Sequence, residues 1–161
     1  MTINDLSLAH HDGGPAAGLL EELCDAYAYS VKLGDEKTAA FRRRAEKRCT
    51  QPGFVLVTAR AGGRLVGFAF AYALPAGDTH WWGEVQPEPS VDFVQETGSR
   101  TWVLSEIEVR RAWQSKGVGR ALYDAVLDTR GEDRATLATG ADAAAQPRGL
   151  DSHCPTAVPT P

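Results

Sequence analysis

The feature that most constrains this chain is the run Gln114-Ser115-Lys116-Gly117-Val118-Gly119-Arg120-Ala121, which stands between a strand-like and a helix-like segment. Residues 101–110 before it are rich in Trp, Val, Leu and Ile, the side chains that pleated strands favour. After it, Ala121, Leu122, Ala125 and Val126 recur at spacings of one, three and four, which is helical. The glycines therefore mark a strand-to-helix turn at the amino end of a helix. The first N–H groups of a helix have no partner inside it, and the helix dipole is positive there. Glycines remove the side chains that would hold an anion away from those donors. A cradle for phosphate is the physical reading.

Two familiar cradles do not fit. The Walker pattern places Lys and then Ser or Thr after its last glycine, whereas Lys116 precedes Gly117 and neither hydroxyl residue follows Gly119. The dinucleotide fingerprint needs a third glycine where this chain has Leu122. What remains is Gln-x-x-Gly-x-Gly after a strand. It resembles the acetyl-CoA signature Arg/Gln-x-x-Gly-x-Gly/Ala of the GNAT acetyltransferase superfamily. The wider match runs from Leu104-Ser105-Glu106-Ile107-Glu108-Val109-Arg110-Arg111-Ala112-Trp113-Gln114 through the glycines to Ala121-Leu122-Tyr123-Asp124-Ala125-Val126-Leu127.

Size and composition agree with one globular domain. A chain of 161 residues buries one useful core, and 43% hydrophobic with 24% charged residues is ordinary for a water-soluble fold. The net charge of −4 argues against a nucleic-acid partner and is compatible with a cationic amine. No apolar run is long enough to span a membrane. Residues 1–10 lack the basic-then-apolar order of a signal peptide. Cys24, Cys49 and Cys154 form neither a disulfide framework nor a zinc pattern, so reduced thiols in a cytoplasmic setting are expected.

The rest of the chain reads as strand 3–9, helix 16–31, helix 36–48, strand 54–60, strand 65–73, strand 102–109, helix 117–129 and strand 134–139. Leu19, Leu20, Leu23 and Tyr27 share one face of the first helix, and Ala39, Ala40, Phe41 and Ala45 punctuate the charges of the second. Ala61-Gly62-Gly63-Arg64 is a hairpin signal. Residues 75–98 are mostly loop with one short helix. The order β-α-α-β-β-β-α-β matches the first three-quarters of the GNAT fold. The fold class expected is thus α/β of GNAT type, with a mixed, mainly antiparallel sheet and helices on both faces.

The family normally continues with a further helix and two closing strands. Here the composition changes near Gln146, and prolines at 147, 155, 159 and 161 oppose a regular helix or central strand. Few large aliphatics remain to offset the entropy of ordering. The expectation is an incomplete GNAT-like domain over residues 1–145 and an unstructured tail over 146–161.

The resemblance implies acetyl-CoA as co-substrate. Its pyrophosphate would meet the backbone at Gln114, Ser115, Lys116, Gly117, Val118, Gly119, Arg120 and Ala121, with Arg111, Lys116 and Arg120 as charge partners. Backbone groups of Ile107, Glu108 and Val109 match the family's contacts to the pantetheine arm, and an N–H there would steady the oxyanion of acyl transfer. In the family a bulge splays this strand from the next. A primary amine is mostly protonated at neutral pH, so a base helps. Glu106 and Glu108 are the candidates: they share strand parity, and burial would raise their pKa toward useful base strength. Tyr123 lies on the phosphate-side helix and is read as packing.

Other conspicuous residues divide between a functional and a structural use. Trp81 and Trp82 either stack on a cationic substrate or plug the long loop. Glu84, Glu88, Asp92 and Glu96 suggest an acidic rim interrupted by Pro87 and Pro89. Arg42-Arg43-Arg44 and Lys47-Arg48, balanced by Glu36 and Glu46, read as the solvated face of an amphipathic helix. His10, His11 and His80 lack metal-ligand spacing, and no metal is expected. The function implied is N-acetyl transfer from acetyl-CoA to an amine of a small molecule or protein by direct attack. The alternatives are a catalytically impaired remnant that binds CoA weakly and a module that pairs its sheet with another chain, a homodimer included.

Overall fold

The computed structural model describes residues 5–13, 18–30, 35–83, 85–138 and 158–159. Their elements are β1 (Leu6–His11), α1 (Leu20–Ala28), α2 (Asp35–Arg48), β2 (Val55–Ala61), β3 (Arg64–Ala73), α3 (Val91–Val94), β4 (Thr101–Val109), α4 (Val118–Leu127), β5 (Arg134–Leu137) and β6 (Val158–Pro159). They form a six-stranded sheet in the order β1-β2-β3-β4-β5-β6. Every pairing is antiparallel except that of β4 with β5. The expected architecture is present: a mixed, mainly antiparallel sheet with helices on both faces.

β3 shows how the sequence builds it. Its side chains alternate Phe68 and Phe70 against Ala69 and Ala71, and nearly the whole strand is buried. The phenylalanines meet α1 and α2 in a cluster with Leu23, Phe41 and Leu56. The alanines face α4, where Val118, Leu122 and Val126 pack on Val57, Ala59 and Trp102. Large residues on one side and small ones on the other set how closely each helix layer lies. At Gly67 the approach is closest: a Cβ there would stand 2.9 Å from the Glu108 carbonyl oxygen and 3.1 Å from Leu122 Cδ1. The β2–β3 hairpin turns through Gly62 (φ 56°) and Gly63 (φ 79°), a left-handed pair that suits the strand twist.

Helix faces follow the sequence spacing. Leu19, Leu20, Leu23 and Tyr27 join the α1–α2 cluster, and Tyr27 stacks on Phe41 with ring centroids 4.3 Å apart. On α2, Phe41 and Ala45 are buried while Ala39 is exposed and Ala40 half-buried, and the apolar face is narrower than expected. Tyr123 packs beside Trp102, as its helix position implied. Helix α1 spans fewer residues than 16–31, and positions 14–17 and 31–34 lie outside the described residues.

The loop between β3 and β4 is fastened by a buried polar cluster. Glu96 Oε1 accepts from Trp82 Nε1 (2.9 Å), Thr101 Oγ1 (2.9 Å) and Arg134 Nη2 (2.7 Å). The Arg134 guanidinium lies over the rings of Trp82 and Phe93, 5.1 and 4.6 Å from their centroids. Trp82 is therefore a plug whose cation comes from this chain, not a platform for a substrate. Trp81 donates to Thr136 Oγ1 at 3.0 Å. Glu96, expected on an acidic rim, is instead buried; Glu84 lies outside the described residues.

At the far edge β6 pairs antiparallel with β5, Ala135 opposite Val158 and Arg134 opposite Pro159. An edge strand tolerates proline because the missing N–H interrupts no inner ladder. This two-residue strand falls within the stretch expected to be an unstructured tail, of which residues 146–157, 160 and 161 lie outside the described residues.

Candidate acetyl-CoA and amine site

The site grows from one irregularity in β4. Phe70 pairs with Glu106 and Ala71 with Leu104, so Ser105 is an extra residue on β4, a β-bulge. Before it, Trp102 and Leu104 point to the α4 face. After it, Glu106 and Glu108 stand opposite Phe70 and Phe68 on the α1–α2 face, while Val109 packs on the α4 side. A regular strand would have placed Leu104, Glu106 and Glu108 together on the apolar α4 face. The extra residue turns both carboxylates away from that core. They do share a face, as their parity implied.

The same residue marks where β4 leaves β5. Parallel pairing covers Thr101 to Leu104 opposite Arg134 to Leu137 and goes no further among the described residues. Over 105–109 the edge of β4 away from β3 is left open, in line with the splay that the family resemblance implied. Ile107, at 36% exposure, stands on this open stretch as one of the few large apolar side chains facing solvent.

Beyond Val109 the chain makes a short 3₁₀ turn, Arg111–Trp113, and enters the glycine loop. Ser115 has φ 59° and Gly117 φ 84°, two left-handed positions within three residues. Gly117 is the N-cap of α4, and no side chain caps the helix. The first turn closes from Ala121 N–H to the Gly117 carbonyl at 3.0 Å. The N–H groups of Val118, Gly119 and Arg120 precede that bond and have no partner within the helix. A Cβ on Gly119 would meet only Val109 Cγ2, at 3.8 Å, an ordinary contact. The protein's own packing thus gives no reason for a missing side chain at 119. Gly119 beside Val109 also joins the helix start to the open edge of β4 in one surface.

Side chains near the loop have other duties than those expected. Gln114 Nε2 donates to the carbonyls of Ser30 (2.9 Å) and Val109 (3.0 Å), tying the end of α1 to the end of β4. Its amide is thus engaged within the protein, which leaves only its backbone for the expected cradle. Arg120 Nε bonds both oxygens of Asp124, at 2.8 and 2.9 Å, on the exposed side of α4. Lys116 Nζ lies 5.1 Å from the Trp113 ring centroid, and Arg111 is exposed. Arg110 reinforces the same junction: it is buried, donates to the Leu65 carbonyl at 2.6 Å and pairs with Asp25.

On the opposite face the two carboxylates differ in their company. Arg44 of α2 donates from Nε (3.1 Å) and Nη2 (3.0 Å) to a single oxygen, Oε1, of Glu106. Burial raises the Glu106 pKa above the ordinary carboxylate value, and Arg44, then Arg48, oppose it. Burial likewise raises Glu108; the Ser30 hydroxyl pulls it down, and the charge of Glu106 pushes it further up. Both are moved toward the range in which a carboxylate can take a proton from an amine. Sequence reasoning missed Arg44. The signal was present in its spacing: 41, 44, 45 and 48 form one helical stripe, so Arg44 and Arg48 lie beside the buried Phe41 and Ala45. Among the described residues no group of three or more His, Cys, Asp and Glu could hold a metal ion, and no helix is long and apolar enough to cross a membrane.

A family model described as Acetyltransferase (GNAT) family matches residues 17–146. A search of curated protein sequences finds no match. Among solved structures the fold is similar to a GNAT-family protein from Desulfovibrio desulfuricans, at 16% identity and TM-score 0.56, covering 82% of this chain and 72% of that one. It is also similar to a ribosomal-protein-alanine N-acetyltransferase from Brucella melitensis, at 22% identity and TM-score 0.51, covering 86% and 82%. A third is the aminoglycoside N-acetyltransferase AAC(6')-Iy in complex with CoA, at 18% identity and TM-score 0.56, covering 85% and 78%. At these identities the likeness is one of fold.

Proposed function

The chain belongs to the GNAT family of acetyltransferases, and from that premise we propose that it transfers an acetyl group from acetyl-CoA to a primary amine. The observation that carries the reading is the open edge of β4, continuous with an uncapped, glycine-lined helix start and backed by two half-buried carboxylates. Acetyl-CoA supplies an activated thioester. The backbone N–H groups at 115–120 would hold its pyrophosphate, and the edge at Ile107, Glu108 and Val109 would hold its pantetheine arm. An N–H on that edge would stabilise negative charge on the carbonyl oxygen under attack.

On the other side of the strand, a carboxylate takes one proton from the ammonium group. The freed nitrogen forms the new N–C bond as the C–S bond breaks, and the departing sulfur takes the second proton. No covalent enzyme intermediate is required, because both partners meet across one strand. The acceptor is an amine of a small molecule or a protein. A cytoplasmic setting belongs to the same proposal and suits the free thiols of Cys24 and Cys49.

The test is calorimetric titration with acetyl-CoA followed by a thiol-release assay over a panel of amines. Saturable binding with amine-dependent thiol release is the expected result. Binding without turnover for any amine would identify an impaired CoA-binding remnant.

A further inference from the structure

The two glutamates of β4 are equivalent in sequence, two residues apart in a Glu-x-Glu pattern, yet α2 treats them differently. Arg44 places two N–H donors on Glu106 Oε1. Its guanidinium lies over the Phe41 ring, 5.9 Å from the centroid. Among the described residues no cation forms an ion pair with Glu108, and the nearby Ser30 hydroxyl donates to the Tyr27 carbonyl at 2.8 Å. Resting on the acetyl-transfer reading above, we infer that Arg44 is a positioning residue: its clamp reserves Glu106 as the fixed negative anchor for the incoming ammonium group and leaves Glu108 to accept the proton.

The physical reason is competition. For Glu106, whose side chain is 14% exposed, to become protonated it must give up two hydrogen bonds from a cation that is itself 45% exposed. Glu108 has no such ion pair to give up among the described residues. The other charges facing the pair act in the same sense. Arg48, one turn along α2, favours the ionised form of Glu106, while ionised Glu106 disfavours ionisation of Glu108. Arg44 also favours ionised Glu108, but as the weakest of the influences on it. From β3 the neighbours are the apolar rings of Phe70 and Phe68, which favour neither carboxylate over the other. An anchored anion beside a carboxylate of higher proton affinity is the arrangement that attracts an ammonium group and then relieves it of a proton. The proton passes from nitrogen to Glu108 and is later lost to solvent.

The experiment has two arms. In the first, the side-chain carboxyl carbons of Glu106 and Glu108 are titrated by NMR in the full chain, using Glu108→Gln and Glu106→Gln to isolate each group. Glu106 should titrate at lower pH than Glu108, and Arg44→Gln should raise Glu106 and close the gap, with Arg44→Lys restoring part of it. In the second arm, kcat/KM for the best amine is followed against pH. Glu108→Gln should cost about a hundredfold at neutral pH and abolish the acidic limb. Glu106→Gln should keep that limb and act mainly through a higher KM for the amine. Arg44→Gln should raise KM for the amine increasingly as pH falls, because the unclamped Glu106 is protonated more readily, whereas loss of a merely structural contact would lower the rate evenly at every pH. Loss of the limb in Glu106→Gln with its survival in Glu108→Gln would overturn the inference, as would an Arg44→Gln protein with unmoved titrations. Absence of turnover with every amine would overturn the acetyl-transfer reading instead, and the NMR arm would still decide whether Arg44 orders the two carboxylates.

Discussion

The two halves of β4 are one strand with two sets of rules. Over 101–104 it pairs with β3 on one side and β5 on the other, and its four residues are buried. Over 105–109 it keeps only β3 among the described residues, and its residues are half-buried or exposed. The first half carries Trp102 and Val103 in the core and, through Thr101, ties into the Glu96–Arg134 cluster. The second half carries two carboxylates and an exposed isoleucine. Ser105 is the boundary. The comparison teaches that stability and chemistry are separated along a single strand by one extra residue, which ends the pairing with β5 and reverses which side chains face which helices.

Removing that boundary should have the largest effect. Deleting Ser105 would leave Glu106 opposite Phe70 and Glu108 opposite Phe68 but remove the bulge at which β4 turns away from β5. The expected outcome is a protein that still unfolds cooperatively by circular dichroism and no longer binds acetyl-CoA measurably by calorimetry. A deletion protein that melts cooperatively and binds acetyl-CoA would show that the bulge is dispensable.

Next comes the paired half alone. Arg134→Met leaves Glu96 buried without its cation and should cost about 3–5 kcal/mol, measured by urea denaturation. Acetyl-CoA affinity in the remaining folded protein should change little, because the cluster lies on the other side of the boundary. A large change in affinity with unaltered stability would erase the distinction between the halves.

A smaller loss is expected from the open half. Gly119→Glu places a carboxylate among the unpartnered N–H groups. A Cβ at this position makes only an ordinary contact with Val109, so the fold should persist. Acetyl-CoA affinity should fall by about a hundredfold, from like-charge repulsion and obstruction at the helix start. Unchanged affinity by calorimetry in a folded variant would remove the cradle assignment.

The smallest effect is a gain. The Glu108 pKa lies above its ordinary value of 4.5 in the folded chain because burial disfavours its charge. Its contribution to stability is therefore complete below about pH 4.5 and is lost as pH rises through the raised value. Near pH 7 the ionised, buried Glu108 is a cost. Glu108→Gln should accordingly raise the melting temperature at neutral pH, and the advantage should vanish below about pH 4. A variant less stable than the parent at pH 7 would show that Glu108 makes a favourable contact that outweighs its burial.

Much of this molecule was legible in its sequence. Period-two alternation exposed β2, the glycine pair exposed its hairpin with β3, and helical spacing exposed α1 and α4, because local periodicity must match the environment of each face. The glycine loop was legible for the same reason: left-handed backbone and close approach leave few residue choices at Gly117. Boundaries moved by a few residues, as at α1, where chain ends obey tertiary contacts more than local preference. What could not be read was partnership. Nothing local tells that Glu96 leaves an acidic series to meet Arg134, that Trp82 takes its cation from this chain, or that Gln114 uses its amide to join α1 to β4.

Taken by itself, the sequence determined the order of elements, their inward faces, the family resemblance and the pair Glu106 and Glu108 as chemistry on one strand. Only the tertiary structure decided which way that pair points and which of the two meets Arg44. The reason is the range of the forces involved. Helix and strand periodicity is set by neighbours three or four residues away, whereas the bulge at Ser105 depends on register against β3, and the ion pair from Arg44 depends on where α2 is packed across the sheet.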